Sequence, residues 1–335
     1  MEKEEIKQPK KEEQAIDALL RPHAWAEYVG QTKVKQQLQI ILLAAREREE
    51  ACDHLLFYGQ AGLGKTTLAH LVARELNSNV KVTSGPALEK VGDVAAVLTN
   101  LEHGDILFID EAHRLNRMIE EVLYPAMEMR KLNLVVGKGP GARTLALDLP
   151  PFTLIAATTR ASLLSGPLRS RFGGSFKLDY YNVADIEAIV RRSAKILNIE
   201  IKPDGVTAVA RASRFTPRVA NRLVKRVRDY AQVNKIKDIN GDVVLKCLEM
   251  LEIDNQGLEP YDRQLLEVII KKFNGGPVGI GTLTAALNDE KGNIEDVHEP
   301  YLMTIGFLRR TAAGRIATEE AYKHLKLDNP EANLL

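Results

Sequence analysis

The segment from Thr32 to Glu50 carries Val34, Leu38, Ile41, Leu42 and Ala45 at helical spacing among charges, which predicts an amphipathic helix. Leu55–Tyr58 is a short apolar run ending at a glycine, as expected of a buried parallel strand. Further on, the pattern predicts a helix over Thr66–Leu76, a strand near Val80–Thr83 and a helix over Val91–Leu101. Buried strands are expected at Ile106–Ile109 and Phe152–Ala157. Strands alternating with helices define a parallel three-layer α/β domain. Residues 130–148 alternate apolar and polar on either side of a Gly-Pro-Gly turn, which predicts a β-hairpin projecting from that core. After Asp179 the pattern turns all-helical to about Glu252. From Asp262, three short helical patterns precede a small strand–turn–strand over Gly306–Thr318. The simplest division is a charged tail over 1–14, an α/β domain over 15–182, a helical domain over 183–257 and a third domain over 258–335.

Composition narrows the class. Hydrophobic residues make up 45% and charged residues 27% of 335, ordinary for a globular chain and against wholesale disorder. No apolar run approaches the ~20 residues of a membrane span. The N-terminal MEKEEIKQPKKEEQ lacks the apolar core of a signal peptide, and Cys52 and Cys247 stand far apart with no CxxC spacing. A cytoplasmic protein without a disulfide framework or zinc finger is therefore expected. The 46 Lys+Arg and 45 Asp+Glu give a net charge of +1, which is silent about nucleic acid as a total and leaves local basic surfaces open.

The sharpest motif is Gly59-Gln-Ala-Gly-Leu-Gly64-Lys65-Thr66-Thr67, a G-x-x-x-x-G-K-[ST] loop after a strand and opening a helix. Glycines let backbone N–H groups approach phosphate oxygens, and the helix N-terminus adds positive potential. Lys65 is expected to reach the β- and γ-phosphates of ATP, and the Thr66 hydroxyl to ligate Mg2+. Asp110 and Glu111 end the apolar run ILFI. In a P-loop enzyme, Asp110 then holds the magnesium shell and Glu111 polarises the attacking water, with ADP as product. The tetrad Asp110-Glu-Ala-His113 also spells a helicase signature, but the rest of the chain does not follow that superfamily, so His113 reads as a neighbour of the site. A third strand ends in Thr158-Thr159-Arg160, where a polar residue would lie between the P-loop strand and the Asp110 strand.

Two arginine clusters follow. Leu168-Arg169-Ser170-Arg171-Phe172 is either a solvated cluster or the source of an arginine supplied to a neighbouring subunit's γ-phosphate. From Arg211 to Arg228 there are seven basic residues and no acid. Such a run is either a solvated helix face or, at Arg218 just after Pro217 at a helix start, a residue that closes over the nucleotide; the other arginines read as surface or subunit contacts.

The stretches GLGKTTLAH, VTSGPALEK, DILFIDEAHRL, LYPAME, DLPPFTLIAATTR, PLRSRFG, TPRVANRL and EPYLMTIGFLRR resemble the RuvB family of AAA+ motors, and the likeness runs from about Leu20 to Leu327. The resemblance implies an AAA+ P-loop core, a helical lid and a C-terminal winged helix. By position, Lys65 and Thr66 match the Walker A pair, Asp110 and Glu111 Walker B, Thr159 the sensor threonine, Arg171 the trans-acting finger and Arg218 the second sensor. Leu20, Arg21 and Tyr181 match positions packed around the nucleotide, and Gly62 and Thr67 further phosphate contacts. The 130–148 hairpin matches the element that engages a RuvA-type junction-binding partner. Arg309, Arg310 and Arg315 fall in the acid-free stretch Pro300–Thr318, on a wing suited to phosphates, with Arg310 and Arg315 matching DNA-contacting positions. Implied too are a six-membered homo-oligomeric ring, double-stranded DNA at a Holliday junction as substrate, and a RuvC-type resolvase as a further partner. Gln60-Ala61 stand where the family carries Pro-Pro, and Met129-Arg130 where it carries Asp-Phe. A protein remodeller or clamp loader would share the ATPase motifs; it has no need of the basic wing.

Overall fold

The computed structural model describes residues 16–136 and 143–328. They form two compact units: one runs to Asp185 and takes in Thr216–Arg218, and the other comprises Ile186–Phe215 and Val219 onward. Among the described residues no helix is long and apolar enough to cross a membrane.

In the first unit, helix α1 (Thr32–Glu47) buries Val34, Leu38, Leu42 and Ala45, four of the five positions its periodicity marks. A five-stranded parallel sheet is built from β1 (Leu55–Tyr58), β2 (Val80–Ser84), β3 (Ile106–Asp110), β6 (Thr153–Thr158) and β7 (Gly174–Lys177), in the order β2-β3-β6-β1-β7. All six residues of β6 are buried, as are Ile106–Ile109 of β3, which is why Leu154–Ala157 and Ile106–Ile109 read as unbroken apolar runs. Helices α2 (Lys65–Glu75), α3 (Val91–Thr99) and α4 (Arg117–Met129) connect strands. Leu98, Ile119, Leu123, Leu107 and Leu154 meet in one cluster that joins α3 and α4 to the sheet.

Neither α4 nor β7 figures among the elements the pattern predicts. Pro125 interrupts the helical reading of α4, yet the helix buries Ile119, Leu123 and Ala126 and is capped by Asn116, whose side chain accepts from the Ile119 N–H at 3.0 Å. Strand β7 has four residues, and its alternate positions are exposed. Between α4 and β6, β4 (Lys131–Val136) and β5 (Arg143–Asp148) pair antiparallel from Lys131↔Asp148 to Val136↔Arg143, as the alternation predicts. The expected Gly-Pro-Gly turn falls at 137–142, outside the described residues.

The second unit takes in α6 (Val183–Ile196) from Ile186 onward, α7 (Pro203–Ala212), most of α8 (Pro217–Val233) and α9 (Gly241–Met250), following the four-residue α5 (Gly166–Arg169) of the first unit. The same unit continues with α10 (Pro260–Phe273), α11 (Ile280–Leu287), α12 (Glu299–Thr304), the antiparallel pair β8 (Leu308–Thr311) and β9 (Gly314–Ala317), and α13 (Glu319–Leu325). Leu265, Leu266, Ile269, Leu283, Ile294, Leu302 and Ala321 form its winged-helix core.

The stretch joining α9 to α10 is packed down. Arg263 donates to the Leu258 and Glu252 carbonyls at 2.7 and 2.9 Å, and Asp254 meets His324 at 2.7 Å. Gly257, at φ +76°, brings its backbone so close to α7 that a Cβ there would lie 2.4 Å from the Ala212 carbonyl oxygen. Cys52 and Cys247 are free and buried, and burial pushes each thiol up to about 11.

Candidate nucleotide site and nucleic-acid interface

The P-loop leaves β1 at Gly59, whose N–H donates to the Thr158 carbonyl at 3.2 Å, and ends at Gly64, the left-handed cap of α2. Lys65 is buried at the start of that helix and donates to the Gly59 and Gln60 carbonyls, both at 2.8 Å. Burial, opposed by the Asp110 carboxylate and aided by Arg218, lowers its pKa to about 8. The next residue, Thr66, points its hydroxyl at the Asp110 carboxylate, 3.4 Å away. Asp110 also accepts from the Glu111 N–H at 2.9 Å, and Glu111 adopts a left-handed backbone at φ 51° that ends β3 and exposes its side chain. A hydroxyl and a carboxylate at this separation form a hard-oxygen donor set that fits a small divalent cation such as magnesium.

Because β6 lies between β1 and β3, its end faces both motifs, as the sequence predicts. Thr158 is 1% exposed; its hydroxyl lies 3.0 Å from His113 Nδ1 and accepts from the Arg160 N–H at 2.9 Å. Burial lowers the His113 pKa, opposed by the nearby Glu111 carboxylate. Thr159 follows immediately, half-buried.

Tyr181 comes to the P-loop from just before α6, and its hydroxyl donates to the Leu63 carbonyl at 3.2 Å. Beside it stands Tyr28, 3.3 Å away through the two hydroxyls, a residue the sequence reading missed. Its only signal is an aromatic before the glycine of Tyr28-Val-Gly, which periodicity does not single out. Leu20 is buried and Arg21 exposed. Thr67 sits in the first turn of α2. Arg218 abuts the loop: its N–H donates to the Gly62 carbonyl at 3.4 Å. Gly62 is held at φ +82°, where a Cβ would lie 2.9 Å from the Cβ of Arg218.

Arg171 is neither solvated nor loose. Its guanidinium lies 4.5 Å over the Tyr124 ring and 3.1 Å from the Glu128 carboxylate, and Nη1 donates to the Pro167 carbonyl at 2.6 Å. Only Nε, buried, lacks a hydrogen-bond partner.

The wing requires a correction. Arg310 is half-exposed and lies opposite Arg315 in the β8–β9 register, and Arg309 is exposed. Arg315 does not stand on the exposed wing. It is 5% exposed and clamped by Glu299, 2.6 Å from Nε, and Glu295, 2.8 Å from Nη2. The stretch 300–318 is free of acids in sequence, but the two carboxylates just upstream fold onto it. Part of the tract 211–228 is paired in the same way: Arg214 meets Asp262, Arg222 meets Glu259 at 2.7 Å, and Arg226 and Arg228 share Asp229. Arg214, expected at the surface, is buried.

A P-loop motif on a parallel sheet with the AAA+ arrangement, followed by a helical lid and a winged helix, defines the class. Family models agree along the chain. The P-loop domain of the Holliday junction DNA helicase RuvB matches residues 20–178, the RuvB AAA lid domain 181–254 and the RuvB C-terminal winged helix domain 255–326. The RuvB Holliday junction branch migration motor of Thermotoga maritima is 50% identical, with a TM-score of 0.86 over 93% of this chain and 100% of that one. An alanine-to-serine mutant of it is also 50% identical, at a TM-score of 0.87 over 93% and 99%. The chain belongs to the RuvB family.

Proposed function

We propose that this chain is an ATP-driven motor that translocates double-stranded DNA and drives Holliday junction branch migration in recombination and repair. The observation that carries the reading is the convergence of Lys65, Thr66, Asp110 and Glu111 at the end of one sheet, in a chain that also holds a winged helix with Arg309 and Arg310 at its surface.

The P-loop backbone and Lys65 bind the phosphates of ATP, while Tyr181 and Leu20 line the site and Arg218 follows the nucleotide from the start of α8. Thr66 and Asp110 are the residues that would hold Mg2+, which when bound neutralises charge on the β- and γ-phosphate oxygens. Glu111 orients the attacking water and takes its proton as the bond from the γ-phosphorus to the β-phosphate oxygen breaks and ADP leaves. Thr159 senses the terminal phosphate. Arg171 acts on the neighbouring subunit's nucleotide, so the working assembly is a ring of subunits, six of them as the resemblance to the RuvB family implies. We divide the chain into three parts, 15–182, 183–257 and 258–335, a reading supported by the order in which models of a P-loop domain, a lid and a winged helix follow one another along it.

The paired strands β4 and β5, with Leu145 about half exposed, are the docking element for a RuvA-type protein. A RuvC-type resolvase, a cytoplasmic location and a role in the response to DNA damage complete the assignment. DNA is gripped through Arg309 and Arg310 by phosphate contacts that read no sequence, and Arg315 supports them from within.

The decisive experiment measures ATP-dependent migration of a four-way junction, with and without a RuvA-type partner. Migration that needs both ATP and Lys65 is expected. ATP-dependent unfolding of a protein, with no effect on junctions, would overturn the reading.

A further inference from the structure

Arg214 begins a chain of buried charges that runs through the second unit. Its guanidinium is 3.1 Å from Asp262, 4.6 Å over the Tyr301 ring and 3.5 Å from the Val297 carbonyl. Asp262 is fully buried in the first turn of α10, where it also accepts from the Glu259 N–H at 2.9 Å and meets His298 Nδ1 at 2.7 Å. The His298 ring packs on Tyr261 with centroids 4.3 Å apart. The next residue, Glu299, is 2% exposed and holds Arg315, while Glu295 reaches both Arg315 and, at 3.5 Å, Arg310. The series thus leads from the end of α7 through the buried face of α10 and the start of α12 to the wing.

At its other end the series meets a strained backbone. Arg214 and Phe215 are consecutive left-handed residues, φ 54° and 55°, and neither is glycine. Such residues persist only where their surroundings over-determine them. The chain passes from one compact unit to the other between Phe215 and Thr216, and Arg218 follows two residues later at Gly62 of the P-loop.

Buried ion pairs contribute little net stability because desolvation offsets their attraction. What they do supply is geometry: each pair is intact at only one separation and orientation of the elements it joins. We propose that Arg214, Asp262 and His298 are positioning residues that lock the segment leading to Arg218 to the wing, so that the presentation of Arg310 to the DNA backbone follows the nucleotide. The inference rests on the motor reading above and names the route by which its two sites communicate.

The test uses the full-length protein, with linear duplex DNA as the probe. Asp262→Asn keeps shape and removes charge. Its turnover without DNA is expected within about twofold of wild type, while the stimulation by DNA falls about five- to thirty-fold and branch migration falls with it. Unchanged stimulation would overturn the inference. His298 supplies a second arm that holds even if Asp262→Asn fails to fold. His298→Asn retains a donor near Nδ1 and is expected to keep the stimulation, whereas His298→Phe retains the ring on Tyr261 and is expected to lose it. The reverse order would mean that packing alone matters, and the proposal would fall. Wild-type protein with no DNA-stimulated turnover would sink the motor reading itself, a result distinct from either variant's.

Discussion

The Arg171 guanidinium is paired with Glu128 at 3.1 Å, inside its own subunit. Glu128 is in the last turn of α4, the helix whose Tyr124 ring also carries the arginine. The arginine we propose to act on a neighbour's nucleotide is thus held by contacts within its own subunit.

Replacing Arg171 with alanine should leave nucleotide binding intact and lower turnover about 10³-fold or more. Mixing Arg171→Ala with Glu111→Gln subunits should recover part of the turnover, because some interfaces then combine a working finger with a working acid. Steady-state phosphate release from the mixture is the measurement. Recovery no greater than the sum of the separate variants would place the finger in cis.

Lys65 should make nucleotide binding a proton-uptake reaction above neutral pH. Its pKa in the free protein is about 8, so at pH 8.5 a large part of the side chain is neutral. Phosphate oxygens favour the charged form and restore the proton. Calorimetry at pH 8.5 in buffers of differing ionisation enthalpy should therefore show uptake approaching one proton, lost in Lys65→Met, with affinity declining as pH rises through 8. The stability sign is opposite. The folded pKa lies below the unfolded one, so the group's destabilisation is fully present below about 8 and is relieved between 8 and the ordinary lysine value near 10.4.

Gly62→Ala should damage the loop twice over. An L-residue held at φ +82° costs roughly 1–2 kcal/mol, and its Cβ would collide with Arg218. Nucleotide affinity is expected to fall about tenfold or more, as read by equilibrium titration. An affinity equal to wild type would mean that the loop has another conformation when loaded.

The three wing arginines should separate by phenotype. Arg309→Ala and Arg310→Ala should each lower the slope of log affinity against log salt by about one, without loss of thermal stability. Arg315→Ala takes from buried Glu299 its partner at 2.6 Å and leaves only the Arg310 contact at 4.0 Å, and breaking a buried pair costs about 3–5 kcal/mol. Its melting temperature should drop before any DNA is added. A folded, fully stable Arg315→Ala with a reduced salt slope would return Arg315 to the DNA-facing set.

The nucleotide site was legible wherever chemistry is written in contiguous residues. Gly59–Thr67 and Asp110-Glu111 fall at strand ends because an apolar run stops at a polar group, and that boundary is local information. The end of the strand at Thr158 was legible for the same reason, whereas its place between the other two is a matter of sheet order. What could not be read was pairing across distance. Nothing in Pro300–Thr318 announces that Glu295 and Glu299 fold back on Arg315, and nothing in Arg211–Arg228 announces Asp262. Charge tracts measure composition along one coordinate, whereas neutralisation happens in three. Tyr28 escaped for a related reason: its role at the P-loop exists only once Tyr181, 153 positions away, lies beside it.

Strand order has a consequence for synthesis. Strand β1, which leads into the P-loop, has no local partner; its two neighbours bring Ile155 and Gly174 opposite Leu55. A chain leaving the ribosome therefore makes its phosphate loop early and cannot frame it until β7 has emerged more than a hundred residues later, on the order of ten seconds at ordinary elongation rates. During that interval the nascent protein carries the motif without the strands that flank it.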